Sequence, residues 1–148
     1  MKVLFVCHYN VGRSQMAKAF YNSLTSSQDA DSAGTQVYEP GQTLIDRKKT
    51  SSSKHFYVID VMNLAGIDIS LYKRQPITEK MLDQYDYIIS MAEKEVSPDW
   101  LVSAPNYIYW DVPDPKGQNL EITLKSRDEI KSRVEDFIKQ KETSNHLH

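Results

Sequence analysis

Residues Val3 to Val6 read "VLFV", an unbroken apolar run of β-branched, aromatic and aliphatic residues. A run without polar alternation predicts a strand buried on both faces. From Ser14 the rhythm changes: Met16, Phe20 and Leu24 fall four apart, with Ala17 and Ala19 between them. That spacing predicts a helix with one buried face. "DSAGT" then predicts a short strand ending in a turn at Gly34. Residues 36–56 are mostly polar, with Pro40, Gly41, three consecutive serines and the basic run Arg47-Lys48-Lys49. They are expected to form a long surface loop, with the basic run on a solvated face.

The second half repeats the alternation. Periodicity from about Tyr57 predicts a helix closed at Gly66 by a left-handed cap. "TEKMLDQ", after Pro76, predicts a short helix with Thr78 as N-cap. "YDYIISM" (Tyr85 to Met91) and "NYIYW" predict two more strands, separated by a helical turn at "PDWLVS". Ile130, Val134, Phe137 and Ile138 share one face of a terminal helix, with Ser126 and Glu129 spaced as its capping box. The tail, about 142–148, is expected to fray. Strands alternating with helices predict one α/β domain over 1–148, with a parallel sheet covered on both faces. Such sheets bind ligands beyond the carboxyl ends of their strands.

Composition narrows the function. A 148-residue chain with 40% hydrophobic and 26% charged residues can build a core. A net charge of −2 gives no footprint for nucleic acid or an anionic membrane, though a local cradle for a small anion remains open. One cysteine excludes an intramolecular disulfide and a multi-cysteine zinc site, and the four histidines have no metal-ligand spacing. No metal or cofactor is therefore expected, and no pattern specifies an oligomeric state. The absence of a membrane-length or signal-like apolar run, with a lone thiol, points to the cytoplasm.

That one thiol, Cys7, sits where the first strand should end, in "CHYNVGRS". Cysteine is often a buried core residue, but this position suits chemistry better. Five residues separate Cys7 from Arg13. A loop of that length can curl so that the amides of His8, Tyr9, Asn10, Val11, Gly12, Arg13 and Ser14 converge on a tetrahedral anion at a helix N-terminus. Gly12 is expected to take a backbone angle that a side chain would resist. Arg13 would clasp two oxygens, and Ser14, on the plainest reading an N-cap residue, could also donate its hydroxyl to the sulfur. Such surroundings favour thiolate, which would attack a held phosphorus and form phospho-cysteine. A leaving oxygen needs a proton, and "WDVPDPKG" places Asp111 and Asp114 just past the last strand. Asp-Pro pairs commonly form turns, but beside the cysteine loop Asp114 reads as the acid.

With these residues the chain resembles the low-molecular-weight protein tyrosine phosphatases and the thioredoxin-type arsenate reductases that share their fold. The resemblance runs from "VLFVCHYNVGRSQMAKAF" through "DSAGT", "AGIDIS" and "YDYIISM" to "YWDVPDP" and the terminal helix. It implies a three-layer α/β/α domain of the phosphotyrosine phosphatase I-like class, with a four-stranded parallel sheet in the order 2-1-3-4. It also implies Cys7 as nucleophile, Arg13 as clamp, Ser14 as the thiolate's partner, Asn10 as the loop's brace and Asp114 as acid and later base. Gly12 stands where many phosphatases carry a second cysteine, and Lys116 and Gly117 where tyrosines often wall the substrate slot. Gln15 replaces the usual proline and matches the reductase branch, yet no resolving cysteine follows in "MAEKEVSPDW". The expected activity is hydrolysis of a phosphomonoester on a protein or small molecule, phosphotyrosine among the candidates. The alternative is arsenate reduction with an external thiol such as glutathione or mycothiol. A third reading is an idle oxyanion-binding module.

Overall fold

The structure is a computed structural model and describes residues 1–146. Its first strand, β1 (Val3–Cys7), is buried along its whole length, because it lies in the middle of the sheet. β2 (Ala30–Gly34) pairs on one side, β3 (Tyr87–Ser90) on the other, and β4 (Tyr107–Tyr109) lies beyond β3. All pairings are parallel, in the order β2-β1-β3-β4. The register sets Cys7 beside Gly34 and Val6 beside Ser90, so the strands' carboxyl ends form one edge.

Successive β1 residues serve opposite layers, as the pleat requires. Val3 and Phe5 join the larger core beneath α1 (Arg13–Thr25), α3 (Val58–Leu64) and α5 (Leu120–His146). Leu4 and Val6 join a smaller core with Ile77, Ile88 and Leu101, the last from the single turn α4 (Asp99–Val102). This is the α/β/α sandwich and strand order expected from the sequence. No helix among the described residues is long and apolar enough to cross a membrane.

Several local expectations are corrected. Within residues 36–56, Leu44–Thr50 form a helix, α2, begun by Thr43, whose side chain accepts from the Asp46 amide at 3.2 Å. Only Leu44 of that helix is fully buried, so the apolar signal was too thin to read. Leu24 is 45% exposed, because the buried stripe of α1 runs through Met16, Ala17, Phe20 and Tyr21 instead. The segment after Thr78 is a 3₁₀ turn over Glu79–Gln84, with no cap bond from the threonine side chain.

Helix α5 begins six residues before Ser126, so the Ser126/Glu129 capping box does not form. Asn119 is the cap: its Oδ1 accepts from the Ile122 amide at 2.9 Å, and its carbonyl from the Thr123 amide at 3.2 Å. At its other end α5 continues to His146, through most of the tail expected to fray; Leu147 and His148 lie outside the described residues. Gly66 does take the left-handed angle, φ 84°, just past α3.

Candidate functional site

The chain leaves β1 at Cys7 and enters α1 at Arg13, so residues 8–12 arch over the carboxyl edge of the sheet. Within that arch the left-handed residue is Asn10, with φ 56°. Gly12 has a negative φ, −105°, and a Cβ there would meet nothing within 4 Å. The glycine is therefore not required by conformation or by space. The strain lies at Asn10, a residue type that tolerates this region better than most.

Asn10 is buried and held from several sides. Its Nδ2 donates to Ser14 Oγ at 2.8 Å, its Oδ1 accepts from the Gln75 amide at 2.8 Å, and its carbonyl accepts from Gln15 Nε2 at 3.1 Å. The Tyr9 carbonyl accepts from Arg74 Nε and Nη2 at 3.2 and 3.0 Å. With these two carbonyls engaged by side chains, no backbone N–H of residues 8–14 donates to a protein group among the described residues. A run of unengaged amides at a helix start is an anion cradle.

Cys7 is 3% exposed, and its Sγ lies 3.0 Å from Ser14 Oγ. The Arg13 guanidinium is almost fully buried. Its Nη1 donates to the Met91 carbonyl at 2.6 Å, the Val112 carbonyl at 2.9 Å and Glu93 Oε1 at 3.1 Å. Burial by itself would lower the pKa of Arg13, but negative charge at Cys7, Asp114 and Glu93 outweighs it and raises the pKa. Arg13 Nη2 lies 3.6 Å from Asp114 Oδ2. The other Asp114 oxygen accepts from the Lys116 amide at 3.0 Å, a local Asx-type turn. So Asp114 shapes its own loop with one oxygen and faces the arginine with the other. Asp111 is exposed and does not line the cavity.

These groups open into one cavity of about 410 Å³. Cys7, Gly12 and Arg13 line its base, Asp114 to Gly117 one rim, and Arg47, Ser51, Ser53 and His55 to Val58 belong to its wall. Val11, Tyr9 and Tyr38 also line it. The His8 ring turns outward, bonded to Gln36 Oε1 at 2.7 Å and stacked on Tyr9 with centroids 3.9 Å apart. Lys116 Nζ sits 4.1 Å over the Tyr9 ring, in place of an aromatic wall.

Sequence reasoning brought Cys7, Asn10, Arg13, Ser14 and Asp114 to one place, and the structure gathers them there. It missed Arg74, Gln75 and Glu93, which hold the loop and the arginine from 65 to 80 residues away, at polar positions between the predicted elements. Gln15, a departure from the phosphatase pattern, has a structural role that the pattern does not show: it joins the arch to Lys73 and Ser32.

Comparison with known proteins places this geometry. The family model described as "Low molecular weight phosphotyrosine protein phosphatase" matches residues 2–146. A glutaredoxin arsenate reductase from Synechocystis sp. is 36% identical over 140 residues, 93% of this chain and 95% of its own. A solved arsenate reductase in its phosphate-binding state is 34% identical, with a TM-score of 0.73 over 95% of this chain and 98% of its own. The low molecular weight protein tyrosine phosphatase from T. tengcongensis is 26% identical, with a TM-score of 0.76 over 95% and 99%. The chain thus aligns over nearly its whole length with a solved phosphatase and a solved arsenate reductase alike, and it belongs to the low molecular weight phosphotyrosine protein phosphatase family.

Proposed function

We propose that the chain reduces arsenate at Cys7, using an external thiol as reductant. The observation that carries this reading is its 36% identity, over 93% of its length, to a glutaredoxin arsenate reductase. That similarity reverses the order expected from the sequence, in which phosphate ester hydrolysis came first. Because Cys7 is the only cysteine, every further thiol must come from outside.

In this reading the amides of residues 8–14 and Arg13 hold three oxygens of arsenate. The Cys7 thiolate attacks arsenic, and Asp114 protonates the departing oxygen, which leaves as water. An external thiolate then attacks Sγ of Cys7. The sulfur–arsenic bond breaks, and its electron pair passes to arsenic, which leaves as arsenite. A second thiol resolves the mixed disulfide, so two thiols become one disulfide while arsenate loses one oxygen as water.

The test is arsenite formation with glutathione and glutaredoxin, beside hydrolysis of an aryl phosphate, for the parent and Cys7→Ser. Arsenite is expected only when both Cys7 and the thiol are present. Aryl phosphate turnover without arsenite under any thiol would overturn the reading. Hydrolysis is the second reading, favoured by Asp114 Oδ2 at the cavity rim, 3.6 Å from Arg13. Under it, Asp114→Asn should slow esters with poor leaving groups by about 10²–10⁴ and good ones much less. Equal slowing for both kinds of ester would remove Asp114 as the acid.

A further inference from the structure

The basic run of α2 does not behave as one solvated face. Lys48 pairs with Asp60 at 3.6 Å and Lys49 is exposed, whereas Arg47 is half-buried and lines the cavity that holds Cys7. A position near a helix C-terminus suits any cation, so it does not explain why Arg47 alone turns inward. The Arg47 side chain has no ion-pair or hydrogen-bond partner among the described residues.

Arg74, buried to 5% exposure, lines the same cavity. Its pKa is lowered, first by burial and then by the charge of Arg47. Glu39 also lines the cavity and acts on Arg74 in the opposite sense, yet forms no ion pair with either arginine among the described residues. Arg74 already donates to the Tyr9 carbonyl and, at 2.7 Å, to Gln42 Oε1, so among the described residues Arg47 is the neighbouring cation whose donors are left for an anion. The cavity, at about 410 Å³, has the size of a small-molecule site rather than of a single oxyanion.

We propose that Arg47, backed by Arg74, forms a second anion site that takes a carboxylate of the thiol whose sulfur reacts at Cys7. The proposal rests on the external-thiol reading. It adds what that reading lacks: a group that would orient the incoming sulfur toward the base of the cavity. The hydroxyls of Ser51 and Ser53 on the same wall supply further donors to a carboxylate.

Because Cys7 is the only thiol, disulfide probes report it alone. Its thiolate attacks one sulfur of the probe, the S–S bond breaks, and a coloured thiolate leaves with the electron pair. The experiment compares dithiobis(nitrobenzoate), whose carboxylates are ionised, with uncharged dithiodipyridine. The proteins are the parent, Arg47→Gln and Lys49→Gln. Arg47→Gln is expected to slow the carboxylate probe roughly fivefold and leave the neutral one within about twofold. Lys49→Gln should leave both rates unchanged. Equal effects of Arg47→Gln on the two probes, or no effect on either, would overturn the site. So would a Lys49→Gln loss matching that of Arg47→Gln, which would mean long-range steering. Arsenite formation enters neither rate. Discrimination without arsenite production would therefore uphold the anion site while the reductase reading falls. Arsenite production without discrimination would do the reverse.

Discussion

Asn10 combines a left-handed backbone with a buried amide whose two ends join different elements, Ser14 at the start of α1 and Gln75 beyond α3. An Asn10→Ala substitution leaves Ser14 Oγ and the Gln75 amide short of a partner and puts a less tolerant residue at positive φ. The cost should be about 2–4 kcal/mol, measured by urea denaturation, with a parallel loss of phosphate affinity. A stability change within 0.5 kcal/mol, about the size of an ordinary surface substitution, would show that the brace is dispensable. Glu93 lends itself to a pH experiment. Burial opposes its charge, but its own backbone amide and the Arg13 guanidinium outweigh that and hold its pKa below the ordinary value. The unfolded chain therefore takes up this proton at higher pH than the folded one. The contribution of Glu93 is complete above about pH 4.3 and is lost as pH falls through the depressed folded value. Between those two values the parent's urea midpoint should fall more steeply than that of Glu93→Gln, by a modest amount since the side chain is 45% exposed. Parallel acid titrations of the two proteins would contradict the pairing.

At the scale of elements, α5 shows how a helix start can be misplaced by a plausible signal. "SRDE" has the residue types of a capping box, but the segment before it, "NLEITLK", in which apolar and polar residues alternate, is already helical from Leu120. Leu120 and Ile122 are each 40% exposed, so no buried stripe announced that first turn. The two ends of the question separate experimentally. Asn119→Ala should cost about 1 kcal/mol, whereas Ser126→Ala, inside the helix, should stay within about 0.5 kcal/mol. The reverse ranking in urea denaturation would restore Ser126 as the cap. Helix α2 was illegible for the opposite reason. It has one fully buried residue and a charged end, so its apolar pattern resembles a loop.

For the whole molecule, the sheet edge and the arch are one mechanical unit. The Gly34 amide donates to the Gln75 carbonyl at 2.9 Å, and the Ile77 amide to the Gly34 carbonyl at 2.8 Å. A Cβ on Gly34 would lie 2.7 Å from Val37 Cγ2 and 2.9 Å from the Asn10 nitrogen. Gly34→Ala must therefore push the arch, costing about 1–3 kcal/mol and weakening phosphate binding in calorimetry. A variant that is destabilised but binds phosphate as the parent does would show that the edge and the cradle are uncoupled.

The sandwich is legible along the chain, because an unbroken "VLFV" can only be covered on both faces and the later strands alternate with helices. So is the local part of the site, since Cys7, Arg13 and Ser14 are brought together by seven residues of chain turning at a strand end. Tertiary structure alone decided what holds those residues. Arg74, Gln75 and Glu93 reach the arch only because β1 lies between β2 and β3, with the chain after α3 laid along the same edge. It also decided that Arg47 faces the cavity while Lys48 and Lys49 do not. Spacing along a chain fixes which groups are near neighbours, whereas the direction of a side chain on a short polar helix is set by what packs against it.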